Sequence, residues 1–289
     1  MKIKILIPLY NDWQSLTKLL EKIDQQIREI NNNFSVIIVN DGSVEKIPDN
    51  FPNYSKINSI KVLNLKTNIG HARCIAIGLK YILKNDDADY VIPMDADGED
   101  RPEEIKDLVK KIRESSDIPV VCERVKRSES IFFKFCYFIH KLITITFTGN
   151  SIKFGNFTCL PKVVVKRMIE EKATWSSFSG ALKKISKINV AVLSERGTRY
   201  FGPSKMSFKN LFVHSLSIMA VFKFNVLIRS ILFFFIYLFL TYEKISVITL
   251  IPILLIIIFN LLVFMVSKRE NLEDYKNSIK NIFDVKIIK

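Results

Sequence analysis

Four acidic side chains crowd one short stretch of the chain: Asp95 and Asp97 of Asp95-Ala96-Asp97, then Glu99 and Asp100. They follow the apolar run Tyr90 to Met94, which reads as a strand. Two carboxylates two residues apart at a strand end can hold a hard divalent cation that bridges phosphate oxygens, Mg²⁺ or Mn²⁺ being the usual ones. Four acids so close repel one another unless a cation or an arginine neutralises them. Taken alone, an Asp-X-Asp is more often an acidic turn ahead of a helix, with Asp100 or Glu103 favouring the helix N-terminus. Asp41 changes that balance, because Asn40-Asp41-Gly42-Ser43 puts another acid at the end of a second apolar run.

The elements that must position these acids alternate. Lys2 to Leu9 reads as a buried strand, and Trp13 to Ile30 as a helix with apolar residues at Leu16, Leu19, Leu20, Ile23 and Ile27. Strands then fall at Phe34 to Val39, Ile60 to Asn64 and Tyr90 to Met94, with helices at His71 to Leu83 and Pro102 to Arg113. This pitch predicts a parallel α/β sheet. Ligands of such sheets bind beyond the carboxyl ends of the strands. The polar groups at those ends are Asn11 and Asp12, Asp41, Asn68, and Asp95 with Asp97, and Asn68 joins the substrate-binding candidates on that ground.

At these residues the chain resembles the family 2 nucleotide-sugar glycosyltransferases, which have the GT-A fold. The matching pieces, in order, are Ile7-Pro8-Leu9-Tyr10-Asn11-Asp12, Val36 to Ser43, Asn68-Ile69-Gly70 with Cys74 and Gly78, Met94 to Ile105, and Cys122-Glu123-Arg124. The resemblance implies a Rossmann-like mixed sheet flanked by helices and a nucleoside-diphosphate sugar as donor. It implies that Pro8, Tyr10, Asp12 and Asp41 line the nucleoside pocket, with Asp41 accepting from base or ribose. Asp95 would sit by the ribose and diphosphate and Asp97 would hold the metal, with Glu99 where lipid-phosphate relatives often carry a glutamine. Arg124 and Arg127 could neutralise a diphosphate or acceptor phosphate with paired donors; otherwise they form a solvated basic loop.

The charge is uneven. Lys and Arg number 43 against 29 Asp and Glu, a net +14, which points to an anionic partner. Residues 1–120 are slightly acidic, and the excess lies between Val121 and Arg229. Within that block Ile131 to Phe147 and Ser207 to Phe224 read as amphipathic helices suited either to a membrane interface or to a core. Between them Glu195 to Ser207 resembles the Arg-x-x-Gly-x-Ser-Lys segment of membrane-attached relatives that make polyprenyl-phosphate sugars; Arg199, Ser204 and Lys205 would then meet a lipid phosphate or the leaving diphosphate. Where that branch carries Gly-Asp-Phe-Arg, this chain has Gly155-Asn156-Phe157-Thr158. Asparagine cannot act as a base, which suits an acceptor phosphate that is already ionised and disfavours a hydroxyl acceptor.

Ser230 to Tyr242 and Ile245 to Ser267 carry no charge, and only Glu243 and Lys244 separate them. The second run is long enough to cross a bilayer; the first is so if it begins near Phe224 and Arg229 snorkels. Lys223, Arg229, Lys268 and Arg269 flank the pair, which places both ends in the cytoplasm under the positive-inside rule. The reading is a cytoplasmic catalytic domain over residues 1–206, an interfacial helix over 207–224, a membrane hairpin over 225–267 (about 225–242 and 245–267), and a cytoplasmic tail over 268–289 with a short amphipathic helix. Met1 to Ile7 is too short for a signal peptide core. The cysteines Cys74, Cys122, Cys136 and Cys159 and the histidines His71, His140 and His214 are scattered and suggest neither zinc site nor disulfides. The basic block lacks a nucleic-acid reading motif. A metal-dependent, inverting transfer of a sugar to a polyprenyl phosphate at the cytoplasmic membrane face is expected, with a lipid-linked saccharide or other hydroxyl acceptor, or a degenerate membrane scaffold, as alternatives.

Overall fold

The structure, a computed structural model, describes residues 1–115, 117–126, 131–203 and 208–289. Strand β1 (Lys2–Leu9) runs parallel to β2 (Asn33–Asn40) on one side and β4 (Tyr90–Pro93) on the other, and β3 (Ile57–Leu65) extends the parallel set from β2. Helices α1 (Trp13–Gln26), α2 (His71–Asn85) and α3 (Ile105–Ser115) cover the faces. The fully buried strands read as apolar runs because both faces are covered. Register aligns their exits: Leu9 pairs Asn40, Asn40 pairs Asn64, and Leu6 pairs Pro93. The residues just beyond β1, β2 and β4 therefore share one edge.

The other half of the sheet is built by the basic block. Strand β6 (Phe154–Pro161) pairs antiparallel with both β4 and β5 (Val120–Lys126), and β5 pairs in parallel with β7 (Val190–Glu195). Helices α5 (Lys162–Glu170) and α6 (Phe178–Ile185) pack on this side. With a last strand β8 (Ile282–Ile287), the full order is β7-β5-β6-β4-β1-β2-β3-β8, a mixed sheet as expected.

The last strand is a correction. The tail is expected to form a short amphipathic helix; its α-helix is only Leu272–Lys276 (α10), a 3-10 turn follows at Ser278–Asn281, and Ile282–Ile287 is β8, antiparallel to β3. The free edge of β3 supplies the hydrogen bonds that select strand over helix, and Asn64 Nδ2 donates to Asp284 Oδ2 at 3.1 Å. Tyr275 anchors the return: its ring is buried beside Trp175, 5.7 Å away, its hydroxyl donates to the Met168 carbonyl, and Lys80 lies 3.5 Å over its face.

Helices α8 (Lys223–Thr241) and α9 (Val247–Ser267) follow α4 (Ile131–Thr148) and α7 (Phe208–Ala220). Both are long and apolar enough to cross a bilayer, and only 11% and 6% of their apolar windows are buried, unlike core helices of a soluble protein. They are tied by Asn260 Nδ2 to Ser230 Oγ at 2.8 Å and Tyr237 Oη to the Thr249 carbonyl at 2.9 Å. Arg229, expected to snorkel, donates to the Thr146 carbonyl at 2.9 Å, and Asn225 donates to that of Thr148, so α8 caps the C-terminus of α4. Helix α7 buries Leu216, Met219 and Ala220 against Val226 and Val263, so it is wedged beside the hairpin along one face.

Tyr275→Ala should lower unfolding stability by about 3–5 kcal/mol and Tyr275→Phe by about 1. Thermal unfolding of the detergent-solubilised protein checks this, and equal effects would contradict a packed anchor.

Candidate active site

The loops that leave the parallel strands are locked to each other before any ligand arrives. Asn11, with φ of +49°, accepts the Val44 amide at 2.9 Å on its Oδ1 while its own amide donates to Ser43 Oγ, tying the exit of β1 to that of β2. Asp41 accepts the Ile69 amide at 2.7 Å and the Gly70 amide at 3.0 Å, one on each oxygen. It is 4% exposed, and a Cβ on the neighbouring Gly42 would meet the Thr67 carbonyl carbon at 2.6 Å. The Asp41 carboxylate thereby holds the loop that starts α2. Asn68 is exposed and lies outside the cavity walls.

Of the acids beyond β4, Asp97, Glu99 and Asp100 each meet an arginine. Asp100 is 3% exposed; it accepts the Asp95 amide at 2.9 Å and Arg124 Nη2 at 3.0 Å. Asp97 accepts the Glu99 amide at 3.0 Å and Arg199 Nη1 at 2.6 Å, and the other terminal nitrogen of Arg199 donates to Asp12 at 2.7 Å. Asp12 stands at the N-cap position of α1 without capping it, its carboxylate being turned to Arg199. Glu99 is held by Nε of Arg196 at 2.9 Å and by its Nη2. Three arginines thus answer five carboxylates. Burial raises the pKa of Asp95, with Asp97 adding to it, and burial raises that of Asp100, with Asp95 adding to it. Burial also works against the charge of Arg124, but Asp100 and Asp95 outweigh it and raise its pKa.

The arginine loop is placed by backbone. Glu104 accepts Ser194 Oγ at 2.7 Å and the Glu195 amide at 2.9 Å, fixing the end of β7. The Gly197 amide then donates to the Glu99 carbonyl and the Tyr200 amide to that of Asp97. Gly98, at φ +89°, lies against the Tyr200 ring, where a Cβ would come within 2.5 Å, and a Cβ on Gly197 would meet the Gly98 carbonyl at 2.4 Å. Two glycines let the loops touch.

Arg124, Arg196, Arg199, Pro8, Tyr10, Asp12, Asp95, Asp97, Glu99 and Asn156 all line one cavity of about 1070 Å³. Arg127, Ser204 and Lys205, also expected at the site, lie outside the described residues. Asp95 and Asp97 fit a divalent cation: they face the same space, and one buried oxygen of Asp95 has no hydrogen-bond partner, although His71 Nε2 is 3.0 Å away. No three His, Cys, Asp or Glu side chains gather as a complete metal cage among the described residues, so a substrate diphosphate would supply the remaining oxygens. Glu99, expected as a third ligand, lines the same cavity and is paired with Arg196, as Asp97 is with Arg199.

The histidines, scattered in sequence, all reach this cavity. His71 opens α2 with Nε2 at 3.4 Å from Asn156 Nδ2, so Asn156 sits beside His71 and Asp95. The only signal in the sequence was the place of His71 directly after Asn68-Ile69-Gly70. The cavity also leaves the polar site altogether: its far walls are Ile139, Ile143, Leu211, Leu216, Leu255 and Phe259, from α4, α7 and α9.

A mixed sheet with acids on the carboxyl edge of its parallel strands has the architecture of the GT-A glycosyltransferases. The sequence profile of Glycosyl transferase family 2 matches residues 4–162, more than half of the chain, and the chain belongs to that family. It is 27% identical to an uncharacterized glycosyltransferase of Synechocystis sp., over 78% of this chain and 70% of that one. It is 29% identical to the undecaprenyl-phosphate 4-deoxy-4-formamido-L-arabinose transferase of Photorhabdus laumondii over 73% of its length, spanning 64% of that relative. Among solved structures it is similar to glucosyl-3-phosphoglycerate synthase of Mycobacterium tuberculosis in complex with Mn²⁺, UDP-glucose and phosphoglyceric acid (TM-score 0.55, 11% identity, 78% of this chain and 79% of that one). A mannosyltransferase of Pyrobaculum calidifontis in complex with GDP-mannose and Mn²⁺ aligns with a TM-score of 0.50 at 14% identity, over 98% of this chain and 87% of that one. Both likenesses speak to the fold.

Gly98→Ala should cost about 2–4 kcal/mol, from backbone strain and displacement of the Tyr200 ring. Gly155→Ala, with no atom within 4 Å of the added methyl, should stay within about 0.5 kcal/mol. Thermal unfolding of the two variants separates them, and equal stability would show that the glycine contact does not hold the arginine loop.

Proposed function

We propose that this protein transfers a sugar from a nucleoside-diphosphate sugar to a polyprenyl phosphate at the cytoplasmic face of a membrane. The observation that carries the reading is the continuity of the cavity. It begins among Asp95, Asp97 and the arginines and ends against Leu255, Ile258, Phe259 and Leu262 of a helix fit to span a bilayer. A water-soluble acceptor would have no use for that apolar extension, whereas an ionised headgroup on a prenyl chain matches both ends. The relatives named as undecaprenyl-phosphate transferases agree with it.

The donor would lie across the carboxyl edge, with Pro8, Tyr10 and Asp12 along the nucleoside side. Asp97 and Asp95 would hold Mg²⁺ or Mn²⁺, which when bound supplies counter-charge to the diphosphate. Arg196 and Arg199, tethered above the same acids, are within reach of a diphosphate laid there and take up charge as it leaves. An acceptor phosphate oxygen attacks the anomeric carbon from the opposite face, a new C–O bond forms as the bond to the diphosphate oxygen breaks, and configuration inverts. The attacking oxygen is already ionised, so Asn156 need not act as a base. The basic flanks Lys223, Arg229, Lys268 and Arg269 favour, under the positive-inside rule, a hairpin with both ends on the cytoplasmic side. Helices α4 and α7, with Phe138, Leu142 and Phe212 exposed, would rest in the interface.

The purified protein, given labelled nucleotide sugars, a short polyprenyl phosphate and Mg²⁺ or Mn²⁺, should form a single-sugar lipid that is cleaved by mild acid. Asp97→Ala should reduce transfer by about 100-fold or more. Full activity in that variant would remove the metal role, and an acid-stable product formed on a lipid-linked saccharide would replace the proposed acceptor.

A further inference from the structure

The polar end of the cavity has a surplus of negative charge, with Asp12, Asp95, Asp97, Glu99 and Asp100 set against Arg124, Arg196 and Arg199, each of which is paired to one or two of those acids. A second phosphate brought in beside a donor diphosphate needs hydrogen-bond donors that are not already spent on carboxylates, and it needs walls free of acids. The opposite walls meet that need. Helices α4, α7 and α9 contain no Asp or Glu at all. The titratable nitrogen groups they turn to the cavity are His140, Lys141 and His214, and His71, whose Nε2 already faces Asp95, adjoins them from the N-terminal turn of α2.

We infer that His71, His140 and His214 form the seat for the acceptor's phosphate monoester, at the step where the carboxylate site gives way to the apolar groove. The inference rests on the polyprenyl phosphate reading above and adds to it the residues that recognise the headgroup. Each imidazole offers an N–H whatever its ionisation, and a phosphate monoester presents three terminal oxygens to receive them. All three rings line the same cavity, on the walls that face its carboxylate end. His71 lies 3.0 Å from Asp95 and 3.4 Å from Asn156, so a phosphate it holds stands next to the donor site. Beyond the seat, Leu255 to Leu262 extend the apolar wall about 10 Å along α9, at 1.5 Å per residue. A prenyl chain entering along that wall would present its phosphate to the histidines and one phosphate oxygen to the anomeric carbon.

The test uses the full chain in nanodiscs of neutral phosphatidylcholine, titrated with farnesyl phosphate, farnesol and phosphatidic acid. Wild-type protein should bind farnesyl phosphate at least tenfold more tightly than either of the others. His140→Gln and His214→Gln should abolish most of that preference while leaving farnesol affinity, and Mn²⁺-dependent binding of UDP or GDP, within twofold. Farnesyl phosphate, unlike farnesol, should also shield His140 and His214 of the wild type from diethyl pyrocarbonate, a measurement independent of how the variants fold. Unchanged preference in both variants, or equal shielding by farnesol, would overturn the seat while leaving the acceptor class intact. Phosphatidic acid binding as tightly as farnesyl phosphate would overturn it in favour of a general headgroup site. Binding of neither prenyl compound would overturn the acceptor reading itself.

Discussion

Five carboxylates at one edge of a sheet would drive that edge apart unless opposite charge is brought to them, and Arg101, which directly follows the acids beyond β4, turns to Glu103 and Glu195. The counter-charge comes from elsewhere in the chain: Arg124 from β5, and Arg196 and Arg199 from the loop after β7. The second half of the sheet is therefore more than an extension of the first. By pairing β6 to β4 and carrying β5 and β7 outward, it delivers three guanidinium groups to acids as much as 187 residues earlier. Breaking one such buried pair strands a charge and costs several kcal/mol, so the arrangement is tightly specified even if its net contribution to stability is small.

The same economy of position governs the membrane part. The hairpin is held at both ends, by α7 and the caps on α4 where it begins and by Tyr275 and β8 after it ends. A span fixed at both ends keeps its position relative to the carboxylate edge. That lets residues of α9 serve as a wall of the same cavity as Asp95, and it gives the apolar hairpin and the carboxylate edge a shared geometry.

Much of the first 113 residues was legible in the sequence because strands buried on both faces read as apolar runs and helices as 3.6-residue periods. The strand ends, and with them Asp12, Asp95 and Asp97, followed from that. What escaped depended on tertiary pairing. Strand β7 lies at an edge with alternating exposure, and β8 owes its conformation to a strand some 220 residues earlier. Sequence reasoning said that an arginine or a cation must neutralise the acids; it could not say that Arg199 would bridge Asp97 and Asp12, nor that Asp41 would spend both oxygens on backbone amides. The convergence of His71, His140 and His214 from three helices left no periodic trace.

The central claim is that one cavity joins a nucleotide-sugar site to a prenyl chain lying against α9. Photo-crosslinking with a benzophenone-bearing prenyl phosphate, followed by peptide mapping, addresses it directly. Labelling is expected within Leu255 to Leu262 and on the facing residues of α4 and α7, and it should be competed away by unlabelled polyprenyl phosphate. Labelling confined to the outer, lipid-facing surface of the hairpin and indifferent to that competitor would contradict the account.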